Sequence, residues 1–121
     1  MLEIDGNNIY LTRGDYAEIE IAIYLEDTYD EQGEPVPYEP VEGDTIGFRM
    51  KRDILVPSEG EFIDSTASLS KAIPIDSMTL TILPADTEKL RFGEYRYQME
   101  LIHNSMPFTF LEGIFEVGDE V

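Results

Sequence analysis

Apolar residues recur at every second position in three segments of this chain, at 17–23, 45–51 and 94–101. In the first segment, Ile19 and Ile21 alternate with glutamates. Side chains two positions apart lie on the same face of a β-strand, so each segment predicts a strand with one buried and one solvent-facing side. Shorter apolar runs raise the expected number of strands to nine or ten. These runs lie at 2–4, 9–11, 61–65, 72–75, 78–82, 107–111 and 114–117.

Turn-forming residues separate the apolar runs at short intervals. The Asp-Gly-Asn-Asn of residues 5–8 and the Asn-Ser of residues 104–105 have the spacing of tight hairpins, which favours largely antiparallel sheets. Only residues 84–90 have a helical pattern, with Pro84 at the first helical position, and this segment is too short for more than about one turn. The pattern predicts a single all-β sandwich domain spanning residues 1–121.

The charge of the chain excludes several classes of partner. It carries 8 Lys and Arg against 26 Asp and Glu, for a formal net charge of −18. Binding to nucleic acid or to anionic membranes depends on basic residues, so we expect neither. The chain has no Cys, which excludes disulfides and thiolate metal sites, and 42% hydrophobic residues indicate a folded chain. We find no signal-peptide pattern at the N-terminus.

Residues 26–43 interrupt the strand pattern with three prolines and seven acidic residues. Proline cannot donate to a central ladder, so we expect a long loop or an edge. The carboxylates are ligands that calcium accepts, but their spacing does not match an EF-hand loop, and a solvated acidic loop is the favoured interpretation. Cation binding by this loop stays an open alternative. We predict no cofactor and no metal site.

A Leu-x-x-Gly-x-Tyr pattern opens the longest alternating segment, at Leu90, Gly93 and Tyr95. It resembles the tyrosine corner of Greek-key sandwiches, in which a tyrosine hydroxyl hydrogen-bonds to backbone a few residues upstream. The alternative is that Tyr95 is an ordinary inward-facing aromatic residue. Both interpretations give Tyr95 a structural role.

No set of residues indicates catalysis. His103 is the only histidine, and we expect it to be a half-buried residue of its strand, with Ser105 at the neighbouring turn. Because catalysis needs several groups brought together, we predict no catalytic residues and a protein that is not an enzyme. The Arg-Gly-Asp at residues 13–15 matches an integrin-binding tripeptide, but so short a match favours a turn at the start of a strand.

Tyrosines offer the candidate interface. Tyr24, Tyr29 and Tyr38 fall on outward-facing or loop positions, where they would anchor a protein contact or stack on a sugar. The alternative is that they cover the edges of the sheets.

The order of these motifs carries a resemblance to a known group of proteins. It runs through residues 12–15, 24–27, 42–45, 48–51, 80–87, 90–101 and 111–117. The layout resembles small phage and prophage structural proteins of Gram-positive bacteria, whose immunoglobulin-like sandwich is similar to the N-terminal domain of siphophage baseplate upper proteins. The resemblance covers nearly the whole chain.

The resemblance implies an immunoglobulin-like antiparallel two-sheet sandwich and a non-enzymatic part in a tail or baseplate assembly. It implies protein partners, through self-association or docking to a larger assembly, and a virion component made in the bacterial cytoplasm. The alternative function is an extracellular module that binds glycans or adheres through calcium, with loop acids and exposed tyrosines as its contacts. The predicted core consists of Ile19, Ile21, Ile23, Ile46, Phe48, Met50, Leu80, Ile82, Tyr95, Tyr97, Met99, Leu101, Phe108, Phe110, Phe115 and Val117.

Overall fold

A computed structural model describes residues 2–25, 29–52 and 68–119 of the chain. Within these ranges it contains eight strands and one short helix. The predicted strand at 61–65 lies outside the described residues. The elements are β1 (Leu2–Asp5), β2 (Asn8–Thr12), β3 (Ala17–Glu20), β4 (Thr45–Lys51), β5 (Ser68–Ile73), β6 (Thr79–Ile82), α1 (Pro84–Thr87), β7 (Gly93–His103) and β8 (Met106–Gly118).

The strands form two sheets, one of six strands in the order β1-β2-β8-β7-β4-β5 and one of two strands, β3-β6. In an immunoglobulin sandwich the third, sixth and seventh strands, C, F and G, share one sheet, while B and E lie in the other. The positions of β4, β7 and β8 match C, F and G, β5 matches C′, and β3 and β6 match B and E. The predicted all-β two-sheet sandwich is confirmed, and its strand order corresponds to that of an immunoglobulin-like sandwich.

One strand pair departs from the expected antiparallel arrangement. β2 and β8 are parallel, with Ile9 opposite Phe115 and Thr12 opposite Gly118. Hairpin turns identify only partners that follow each other in the chain, whereas β2 and β8 come from opposite ends of the described chain. The local sequence therefore could not reveal this pair.

Both predicted hairpins are present. β1 joins β2 across Gly6 and Asn7, and β7 joins β8 across Asn104 and Ser105. Asn104 and Ser105 have φ angles of 50° and 64°, the left-handed values that a type I′ turn requires at both central positions. The predicted helical turn is confirmed as α1, and no helix of the described ranges is long and apolar enough to cross a membrane.

The core lies between the sheets and follows the predicted alternation closely. In β4 and β7 every second residue is buried, including Phe48 at 1% exposure and Tyr95 at 0%. Ile21 and Phe110 are partly buried at its margin. The prediction missed five buried hydrophobic residues among those described. These are Ile9, Leu11, Ala17, Ile73 and Leu90.

Phe108 was predicted to be a core residue, and this is wrong, because 40% of its surface is exposed. The two runs at 107–111 and 114–117 form the single 13-residue strand β8. At about 3.3 Å per residue β8 is roughly 43 Å long, whereas the four-residue strands β3 and β6 are roughly 13 Å each. The small sheet therefore covers only part of the large one.

Candidate functional site

The tyrosine-corner residues meet just before and at the start of β7. The buried Tyr95 hydroxyl donates a hydrogen bond to the Arg91 carbonyl, four residues upstream, at 2.8 Å. Gly93 has a φ of +125°, and a Cβ atom there would lie 3.2 Å from Nη2 of Arg52. Leu90 is buried beside this turn, and burial raises the pKa of Tyr95. These contacts hold the chain where it enters β7, which is a structural role.

The Arg-Gly-Asp segment forms the predicted turn ahead of β3. Gly14 has a φ of +84° and donates its N–H to Oγ1 of the buried Thr87 at 2.9 Å. The N–H of Asp15 donates to the Thr12 carbonyl at 3.1 Å, and the Arg13 guanidinium lies 4.0 Å from the centre of the Phe92 ring. All three residues of the tripeptide therefore have contacts that shape the turn.

The three candidate interface tyrosines do not share one environment. Tyr24 and Tyr29 are 53% and 62% exposed, as expected for surface residues. Tyr38 is partly buried against the core and belongs to a hydrogen-bonded cluster instead. The three residues therefore do not form a single tyrosine patch.

The acidic loop is organised by one of its own carboxylates. Asp30 accepts hydrogen bonds from the backbone N–H groups of Gln32 and Glu34, both at 2.9 Å, and the Gly33 N–H bonds to its carbonyl. Glu26 and Asp27 lie outside the described residues. Among the residues that are described, no group of three or more His, Cys, Asp or Glu side chains is arranged to hold a metal ion.

A polar cluster of Tyr38, Asp44 and His103 joins this loop to the end of β7. Asp44 is 6% exposed, and its Oδ2 accepts from the Tyr38 hydroxyl at 2.6 Å and from the Val41 N–H at 3.0 Å. Its Oδ1 lies 2.6 Å from Nδ1 of His103. Both carboxylate oxygens of Asp44 are therefore occupied by donors, which compensates for their burial.

These donors also set the charge state of the cluster. The hydrogen bond from Tyr38, followed by those from Val41 and His103, lowers the pKa of Asp44 to about 2. The same hydrogen bond raises the pKa of Tyr38, because the neutral hydroxyl is the form that donates to Asp44. Asp44 is therefore ionised throughout the neutral range, and Tyr38 keeps its proton.

The arrangement around His103 assigns its tautomer. A carboxylate only accepts, so Nδ1 of His103 carries the proton that faces Asp44. Nε2 lies 3.1 Å from the Asn104 side-chain amide, which donates to it, and so faces an amide in place of a hydroxyl nucleophile. The contacts of this cluster hold the loop against the hairpin.

Comparison with known proteins gives no second source of assignment. No protein-family model, curated protein or solved structure matches this chain.

The end of the β7–β8 hairpin carries exposed apolar side chains. Met106 is 60% exposed, Phe108 40% and Ile102 39%. Residues 101–111 contain no Asp, Glu, Lys or Arg, although 28% of the whole chain is charged. Met106 and Phe108 share one face of the sheet, whereas Ile102 lies on the other face. We call Met106 and Phe108 the hairpin patch.

Sequence reasoning missed both the polar cluster and the hairpin patch. Asp44 and His103 are 59 residues apart, and no motif spacing connects them. A signal for the hairpin patch was available in the absence of charge at 101–111, but alternation alone assigned Phe108 to the core. The missing information was how far the second sheet extends.

Proposed function

We propose that this protein is a non-enzymatic assembly subunit that works by protein–protein association, and that a second copy of the chain docks on the hairpin patch. The tail or baseplate role that the sequence resemblance implies fits such a subunit. The observation that carries the proposal is an exposed, uncharged, apolar strand end in a chain of net charge −18. Catalysis is not part of the proposal, because the perturbed Asp44 is held by three donors of its own fold.

The backbone of β8 supports docking at this place. β2 pairs with β8 only from Phe115 to Gly118, so residues 106–111 have β7 as a partner on one side and no described strand on the other. Open strand edges with apolar side chains are sites where another chain adds a strand. Two copies joined edge to edge would extend the six-stranded sheet.

Electrostatics favours the same surface. Two copies with net charge −18 repel each other, so the contact with least local repulsion is the one that lacks acidic residues. Residues 101–111 meet that condition. Salt should strengthen this association, because it screens the general repulsion and leaves apolar contacts intact.

The strength of association follows from the exposed apolar area. Burying the exposed parts of Met106 and Phe108 contributes about 1–2 kcal/mol each, and two copies supply four such side chains. Association costs about 4–15 kcal/mol in lost freedom, so this gain offsets much of it and strand pairing must supply the rest. We expect a weak dimer, with a Kd in roughly the micromolar to millimolar range.

Light scattering over a range of protein concentrations tests the proposal. The wild type should shift from the 13.8 kDa monomer towards a dimer as concentration rises, and Met106→Asp should stay monomeric. Ile4→Asp is the matched control, because Ile4 is 53% exposed, lies on β1 and receives the same added charge. Its dimerisation should match the wild type.

Two results would overturn the proposal. One is a wild type that stays monomeric at every concentration and salt level. The other is an equal loss of dimer in Met106→Asp and Ile4→Asp. A rise in unfolding temperature with calcium or a glycan, in a protein that stays monomeric, would favour the alternative binding module instead, since a ligand of the native state stabilises it.

A further inference from the structure

Three basic residues lie together on the outer face of the six-stranded sheet. Arg49 and Lys51 are on β4, Arg96 is on β7, and all three are exposed. We call them the basic cluster. They line an open groove of about 690 Å³, together with Gln98, Ser68 and Ser70. The groove is separate from the core, because the buried residues of β4 and β7 point to the opposite face.

The register of the strands brings these cations side by side. Lys51 is directly opposite Arg96, and Arg49 is directly opposite Gln98. The whole chain has only 8 Lys and Arg, and three of them occupy these neighbouring positions. The three cations therefore concentrate positive charge on one exposed face of a chain whose formal net charge is −18.

The groove also orients one of its cations. With the Gln98 amide turned so that both side chains are satisfied, its oxygen accepts from Nη2 and Nε of Arg49 at 2.6 and 3.0 Å. These two bonds hold the guanidinium plane of Arg49 in place. A fixed guanidinium loses less freedom when it binds a carboxylate than a mobile one would.

The spacing of the cluster matches an extended peptide. Arg49 and Lys51 are two positions apart on one strand, so they are about 6.6–7 Å apart along it. Carboxylates at alternate positions of a second extended segment have the same separation. Glu112, opposite Gln98, lines the groove too, and Glu94 and Glu116 face each other one row beyond Arg96. These acids repel a continuous polyanion such as a nucleic acid.

We propose that this groove binds an extended acidic segment of another protein, with carboxylates at alternate positions facing Arg49 and Lys51. Charge complementarity selects this occupant. The site is distinct from the hairpin patch, because none of its lining residues belongs to residues 101–111. The groove therefore gives the assembly subunit a second contact, which binds an acidic partner, whereas the hairpin patch binds an apolar surface.

Fluorescence anisotropy with a labelled synthetic peptide of alternating glutamate and serine tests the site. A peptide of about ten residues is roughly 33 Å long when extended, enough to cross the groove. Wild-type protein should bind it saturably and should not bind the glutamine counterpart. Lys51→Glu should weaken binding about tenfold, because an attractive ion pair is replaced by a repulsive one.

Lys89→Glu is the matched control. Lys89 is an exposed lysine outside the groove, and both substitutions change the net charge from −18 to −20. Its affinity should stay within about twofold of the wild type, since long-range repulsion changes equally and is screened by salt. Lys51 is exposed at the end of β4, so Lys51→Glu should unfold at the wild-type temperature, and this measurement separates a loss of binding from misfolding.

Several results would overturn the proposal. They are equal weakening by the two substitutions, no saturable binding by the wild type, and equal affinity for the glutamine peptide. Tighter binding of a sulfated oligosaccharide than of the peptide would assign the groove to anionic glycans instead. Loss of self-association in Lys51→Glu would identify a second copy as the occupant.

Discussion

Glycine-to-alanine substitutions at two positions of the six-stranded sheet test how tightly the fold is packed. At Gly113 on β8, a Cβ atom would lie 2.5 Å from the Asn7 backbone oxygen and 3.1 Å from Cε1 of Tyr97. At Gly47 on β4, no atom lies within 4 Å of such a Cβ. Neither glycine has a positive φ, so alanine is sterically allowed by the backbone at both. Gly113→Ala and Gly47→Ala therefore differ only in the space around the added methyl group.

The two substitutions should change the free energy of unfolding in opposite directions. Gly47→Ala should raise the free energy of unfolding by about 0.4–1 kcal/mol, because it removes conformational freedom from the unfolded chain. Gly113→Ala has the same gain, but the oxygen it meets is backbone and also accepts the Tyr97 hydroxyl hydrogen bond. The resulting overpacking costs about 1–3 kcal/mol. We expect a net loss of about 1–2 kcal/mol for Gly113→Ala.

Urea denaturation followed by circular dichroism measures both values under the same conditions. The midpoints should move in opposite directions while the slope of the transition stays unchanged, since the surface exposed on unfolding is the same. A destabilised Gly47→Ala would refute the open space described at Gly47, and a Gly113→Ala as stable as the wild type would refute the packing described around Tyr97 and the β1–β2 turn.

Two further predictions concern the hydrogen bonds. Asp44 has a native pKa of about 2 against an ordinary 3.8, so its contribution to stability is complete above about pH 4 and is lost as the pH falls towards 2; acid titration of the unfolding temperature should be less steep there in Asp44→Asn. Tyr95→Phe removes the bond to the Arg91 carbonyl and should lower the free energy of unfolding by about 1–2 kcal/mol in chemical denaturation. Tyr24→Phe, the same substitution at a tyrosine that is 53% exposed, should change it by less than about 0.5 kcal/mol, and an equal loss in the two variants would contradict a specific role for the Tyr95 hydroxyl.

The sequence predicted most where the signal is local. The alternation in β4 and β7 identified Phe48 and Tyr97 as buried, because a period of two depends only on neighbours along the strand. The turn at Asn104 and Ser105 followed from a pair of turn-forming residues between two apolar runs, and Asn104 is a residue type that tolerates a positive φ. The Leu-x-x-Gly-x-Tyr pattern at Leu90, Gly93 and Tyr95 is local too, because the hydrogen bond of Tyr95 goes to a carbonyl only four residues upstream.

Features that depend on strands meeting across the fold were not predictable in this way. The alternation places Arg49 and Arg96 on solvent-facing sides, but it does not say that β4 and β7 are neighbours in the register that brings Lys51 opposite Arg96. The link between Asp44 and His103 has the same origin. The prediction that Phe108 is buried was wrong for a related reason. Its burial depends on how far the β3–β6 sheet extends over β8, and the sequence of β8 does not specify that distance.

The parallel pairing of β2 with β8 has a consequence for the order of folding. Ile114 donates its N–H to the Asn8 side chain across 106 residues of sequence, and Tyr97 reaches the Asn7 carbonyl across 90. Such distant contacts require large loops to close before they contribute, which slows folding to roughly milliseconds or longer. During synthesis the β1–β2 hairpin is made long before β8, its partner strand. Until β8 is made, the side chains of Ile9 and Leu11, which are buried in the finished fold, stay exposed to other nascent chains.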